Sequence, residues 1–145
     1  MKSILCFGDS LTFGADPAVM GKRHAFADRW PSALEAGLGA DKVRVIAEGL
    51  GGRTTVFDDW NAAADRNGSR ILPTLLESHS PLDAIIIMLG TNDIKPFWAA
   101  QPEKRAGAWS GWPRSSRDFI WRVAKQCRIW FSYLRRKSAI PTMST

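Results

Sequence analysis

The stretch LDAIIIMLGTND, residues 82–93, decides how the chain is read. From Ala84 to Leu89 it is apolar and rich in isoleucine. An apolar run without alternation is what a strand needs when both of its faces are covered. Gly-Thr-Asn-Asp follows at once and reads as a loop at the strand's carboxyl end.

Upstream, KSILCF (residues 2–7) is a shorter apolar run that stops at Gly8 and reads as a buried strand. RWPSALEAGLG (29–39) reads as a helix, with Pro31 suited to its first turn and Gly37 or Gly39 able to end it. KVRVIAE (42–48) alternates and reads as a second strand, followed by the glycine-rich loop GLGGRTT (49–55). NGSRILPTLLESHS (67–80) has apolar residues at 71, 72, 75 and 76, a helical spacing that puts Pro73 in the first turn. Strand, helix, strand, helix, strand predicts an α/β fold: parallel strands with helices on both faces. Ligands of such sheets bind beyond the carboxyl ends of the strands. The segments GDSL, GLGGRTT and GTND all fall there.

These three loops suggest one chemistry. Acyl transfer from an ester needs a nucleophile, donors for the oxyanion, and a base. Ser10, two residues past the first strand in CFGDSLTFG (6–14), is the candidate nucleophile. Its own N–H, those of Gly51 and Gly52, and the side-chain amide of Asn92 are candidate oxyanion donors. Taken singly, a Gly-Asp-Ser turn, a Gly-Gly loop and an Asn-Asp helix cap are ordinary structural features. Their agreement at three successive strand ends favours function.

FGDSL and LGTND, with EGLGGRTTVFDD between them, resemble the blocks of the SGNH (GDSL) family of serine ester hydrolases. The middle segment is similar to its small arylesterase and acyltransferase branch. The resemblance covers residues 1–97. It implies a flavodoxin-like SGNH hydrolase sheet and the hydrolysis, or transfer to alcohols, of short acyl esters. Ser10 would be the nucleophile, and the Ser10 and Gly52 N–H groups with the Asn92 side chain would form the oxyanion hole. Arg53, Thr54 and Thr55 would shape the loop. The family also carries a late Asp-x-x-His block that supplies the base, and no such block occurs here. The only histidines are His24, in a loop, and His79, at the end of the second helix, where it should face away from the site. No triad histidine or aspartate is therefore assigned.

The composition changes near Phe97. Residues 1–97 hold 10 Lys/Arg and 12 Asp/Glu; residues 98–145 hold 10 and 2, with five of the seven tryptophans. The fold is thus expected to be the N-terminal part of the domain, an incomplete sheet, followed by an irregular basic tail with some helix near 116–136. The third strand would then be an exposed apolar edge, and the isolated chain poorly soluble. Tail segments 98–115 and 126–143, back-translated and shifted to one common frame, give an amphipathic helix and then a strand ending in Val-Ser-Pro-Pro, which is similar to a family segment. The tail reads as out of frame. A tail of this composition could also stack bases or lie on an anionic surface, but it carries no nucleic-acid motif and no clean aromatic stripe.

Cys6 and Cys127 lack metal or redox spacing, and Cys6 reads as a small buried residue. No apolar run is long enough to span a membrane, and MKSILCFGDS is too short for a signal peptide. The expectation is a cytoplasmic protein with a small acyl ester as partner, no cofactor, metal, nucleic acid or membrane, and room for association between copies. Sequencing the coding DNA past Phe97 is expected to reveal a second open frame encoding Asp-x-x-His beyond this stop; its absence would remove the out-of-frame reading.

Overall fold

The computed structural model describes residues 1–96 and the strand at 128–131; the other calls on residues 97–145, including Cys127, lie outside the described residues. The elements are β1 (Lys2–Gly8), α1 (Ser10–Phe13), α2 (Trp30–Leu38), β2 (Val43–Gly49), α3 (Gly68–Ser78), β3 (Ala84–Met88) and β4 (Arg128–Phe131). The strands form one parallel sheet in the order β2-β1-β3-β4. That order matches the start of the flavodoxin-like arrangement, whose ligands sit where the chain switches direction between β1 and β3.

The central strand sets the register. Gly8, the last residue of β1, pairs with Gly49 at the end of β2 and with Met88 at the end of β3. Three strands therefore stop on one line, and the loops that follow them emerge side by side.

The two faces of the sheet are covered by different helices. Leu5 and Phe7 of β1 and Ile85 and Ile87 of β3 point to one face, where they pack with Leu72 and Leu76 of α3 and with Phe57. Burying each such side chain contributes about 1.5–3 kcal/mol. Cys6 and Val45 point the other way, the face on which α2 lies. Cys6 is fully buried, and burial pushes its thiol up to about 12, as befits an inert packing residue.

Three expectations need correction. First, β3 is not an edge: residues Ala84 to Ile87 pair with Arg128 to Phe131 of β4. The β-branched and aromatic run Ile129-Trp130-Phe131 suits a strand, and that pairing wins over the helix expected across 116–136 at these four residues. Second, Pro73 lies inside α3 rather than in its first turn. The Asn67 side chain accepts from the Ser69 N–H at 3.1 Å and starts the helix earlier than the apolar spacing suggested. Third, GDSL is not only a turn: Ser10 opens a one-turn helix.

That helix presses on the strand ends. A Cβ built on Gly49 would lie 2.1 Å from the Phe13 nitrogen, and one on Gly8 would lie 2.0 Å from Thr12 Oγ1. Glycine is required there by close approach rather than by backbone angle. The Gly49→Ala variant is expected to lose about 1–3 kcal/mol, because α1 must be displaced, read as a lower urea midpoint with an unchanged m-value.

Candidate functional site

Asp9, buried at the end of β1, caps α1: its Oδ1 accepts from the Leu11 N–H at 3.0 Å. Ser10 is half-buried at the first helical position. An amide there has no acceptor inside the helix, which leaves the Ser10 N–H without an intrahelical partner just past the end of β1.

The β2 loop is held by Arg53, which is buried. Its Nη1 donates to the Gly8 carbonyl at 2.9 Å and to the Glu48 carbonyl, and its guanidinium carbon lies 4.2 Å from the centre of the Phe7 ring. Burial pushes the Arg53 pKa down, opposed by the charges of Glu48 and Asp9. Gly52, just before it, has φ +79°, a conformation that favours glycine. Leu50 N–H closes the loop on the Gly8 carbonyl at 3.1 Å. Thr54 Oγ1 donates to the Phe57 carbonyl at 2.6 Å, and Thr55 donates to Asp93 through its N–H (2.9 Å) and its hydroxyl (2.5 Å). Arg53, Thr54 and Thr55 therefore all serve as loop framework.

The third loop supplies Asn92 and Asp93, both buried in a short 3₁₀ turn, Thr91–Ile94. Asn92 Nδ2 donates to the Arg53 carbonyl at 3.0 Å and makes a longer contact, 3.4 Å, with Asp9 Oδ2. Asp9 and Arg53 are the chain neighbours of Ser10 and Gly52. One amide thus ties together the two loops that carry the other candidate donors. Burial pushes the carboxyls of Asp9 and Asp93 up; the hydrogen bonds from Leu11 to the first and from Thr55 to the second oppose the shift without overcoming it.

Neither histidine ring is hydrogen-bonded to Ser10 among the described residues. The His24 N–H donates to the Gly14 carbonyl at 2.8 Å, its own carbonyl accepts from Arg29 Nε at 3.0 Å, and the residue is exposed. His79 caps the carboxyl end of α3, and its Nε2 lies 2.8 Å from Glu48 Oε1. Among the described residues no group of three or more His, Cys, Asp or Glu is arranged to hold a metal ion, and no helix is long and apolar enough to cross a membrane.

A family model for GDSL-like lipases and acylhydrolases matches residues 6–131. The chain belongs to that family. The match runs past Phe97 and takes in β4. The SGNH/GDSL fold is also that of solved structures. One is a protein described as an arylesterase from Agrobacterium tumefaciens str. C58 (44% identity, TM-score 0.75), covering 90% of this chain and 62% of its own. A carbohydrate acetylesterase family member from Sinorhizobium meliloti has 44% identity and TM-score 0.69, covering 94% and 59%. The M. Smegmatis aryl esterase has 45% identity and TM-score 0.67, covering 77% and 52%. The chain therefore spans about three-fifths or less of these relatives' length. No curated protein matches.

Asp9, Asp93 and Gly49 support this GDSL-like site although the sequence did not single them out as a set. Asp9 was findable, because aspartate before a serine is a strong helix-cap signal. The Asp93→Ala variant should cost about 2–4 kcal/mol, since it leaves the buried N–H and hydroxyl of Thr55 unpaired. Because the Asp9 and Asp93 pKa values are raised by folding, their contribution to stability is highest at pH below the unfolded carboxylate value. It falls as pH rises from there through the folded values. Asp93→Asn should flatten that fall in urea midpoints measured between about pH 4 and pH 7.

Proposed function

We propose that the chain is a serine ester hydrolase acting on small acyl esters, with Ser10 as nucleophile and an oxyanion hole formed by the Ser10 and Gly52 N–H groups and the Asn92 amide. The observation that carries this reading is the double tie of Asn92 to Arg53 and Asp9, which brings three strand-end loops to one point. The relatives named as arylesterase and acetylesterase support an ester substrate.

The steps follow from the geometry. The acyl carbonyl would lie over Ser10 with its oxygen toward the three donors. Attack by Ser10 Oγ forms a bond to the carbonyl carbon, and the carbonyl π pair moves to oxygen. Asn92 Nδ2 would then exchange its long 3.4 Å contact with Asp9 for the nascent oxyanion, keeping the shorter bond to the Arg53 carbonyl. Each donor of this kind is worth about 10²–10³ in rate. The Ser10 hydroxyl proton passes to water as the new bond forms. Collapse breaks the ester C–O bond, and the leaving alkoxide takes a proton from water. Attack of water or a second alcohol on the acyl carbon then breaks the bond to Oγ, which regains a proton as the attacking molecule loses one.

A second reading is favoured by a specific observation. Neither histidine ring is hydrogen-bonded to Ser10: the His79 ring meets Glu48, and His24 is exposed in the loop after α1, bonded through its backbone. Without a base for the Ser10 proton, the chain retains only the rate that binding and the oxyanion hole supply. In that case it is a fragment that does not turn over substrate.

Hydrolysis of p-nitrophenyl acetate by the full chain separates the two. A hydrolase gives release of p-nitrophenol that Ser10→Ala reduces at least tenfold, and that Asn92→Ala reduces by about 10²-fold. Equal rates for wild type and Ser10→Ala would establish the non-catalytic fragment.

A further inference from the structure

A cavity of about 240 Å³ lies between α2 and the outer strand β2, on the sheet face opposite the α3 core. Its walls include Arg23, Phe26, Arg29, Ser32, Glu35 and Val45. No step of the ester chemistry uses these residues.

Two guanidinium groups are held at its mouth in fixed orientations. Arg23 Nε donates to the Phe13 carbonyl at 2.9 Å, and its guanidinium carbon stacks 3.8 Å from the centre of the Phe13 ring. Arg29 Nε donates to the His24 carbonyl, its stem presses against Gly14, and its guanidinium lies 5.6 Å from the Phe26 ring. Each arginine is thus anchored through Nε and a ring, which leaves its terminal amino groups available. Among the described residues neither forms an ion pair. The two cations are close enough that Arg29 adds to desolvation in lowering the Arg23 pKa.

Glu35 is the one carboxylate in the wall, and it is occupied. Its Oε2 accepts the Val45 N–H at 2.6 Å, covering an amide on the outer edge of β2. The cavity keeps a net positive charge, a hydroxyl from Ser32, and the face of an exposed aromatic ring at Phe26. Planar guanidinium forks suit the paired oxygens of carboxylates and phosphates, and an apolar ring beside them suits an apolar body on the ligand.

We propose that this cavity binds a small organic oxyanion, a carboxylate or phosphate borne on an apolar group, clamped by Arg23 and Arg29 against Phe26. The anion offsets the repulsion between two cations that the backbone holds together. Arg23 is bonded to Phe13, the last residue of the helix that Ser10 opens, and none of the cavity's lining residues belongs to the loops that follow β1, β2 and β3 with the candidate donors.

Titration calorimetry of the full chain at constant ionic strength tests this, with benzoate, inorganic phosphate and chloride as probes. Binding of benzoate tighter than chloride by at least tenfold is expected. Tighter binding of phosphate than benzoate would identify the phosphate as the recognised group; the reverse order would identify the carboxylate with its ring. Arg23→Gln, and separately Arg29→Lys, which keeps the charge but loses the fork, should weaken the preferred probe about tenfold or more. Arg44→Gln removes the same charge from the other face of β2 and should leave binding unchanged, as should Ser10→Ala. No preference over chloride, equal weakening by Arg44→Gln, or unchanged binding in both Arg23→Gln and Arg29→Lys overturns the proposal.

Discussion

The buried guanidinium of Arg53 is the interaction on which the site depends. It closes two strand ends by donating to the carbonyls of Gly8 and Glu48, and its charge rests on the Phe7 ring. A buried cation is costly unless its protons are taken up. Here two acceptors are the carbonyls of Gly8 and Glu48, at the ends of β1 and β2. The same residue presents its own carbonyl to Asn92 and fixes the backbone after Gly52. One residue, through its side chain and its carbonyl, therefore ties the loops after all three strands.

Around that cation, polar groups are buried as a connected set. Asp9 caps the helix of Ser10 and faces Asn92, while Asp93 holds Thr55 through two hydrogen bonds. Burial keeps both carboxyls above their ordinary range, so the arrangement is maintained against a desolvation cost. Such networks hold geometry well when every member is paired, and they fail together when one is lost.

The sheet was legible in the sequence because its signals are local. Apolar runs at Ser3–Phe7 and Ala84–Leu89, alternation at Val43–Glu48 and helical spacing at Ile71–Leu76 each announced an element. The placement of Ser10, Gly52 and Asn92 beyond strand ends was legible because each follows a strand that the sequence announces. What stayed hidden depends on contacts far apart in the chain. Arg53 could be read as a loop residue, but nothing local says that it reaches Gly8. The helix opened by Ser10 is too short to show a period, and it exists because Gly49 lets it settle on the sheet. The pairing of β4 with β3 was hidden for another reason: Arg128–Phe131 sits in a segment whose composition masks any alternation.

The position of β1 has a consequence for how the chain comes off the ribosome. It is an inner strand of the sheet that precedes both of its partners in the chain, with Lys2 paired to Val43 and Ile4 to Ala84. Neither side of it is filled by its near neighbours in the chain, so β1 has no sheet partner until β2 emerges, and its second side waits for β3. Pairings this distant slow folding. Loss of β1 would therefore part β2 from the rest of the sheet rather than fray an edge.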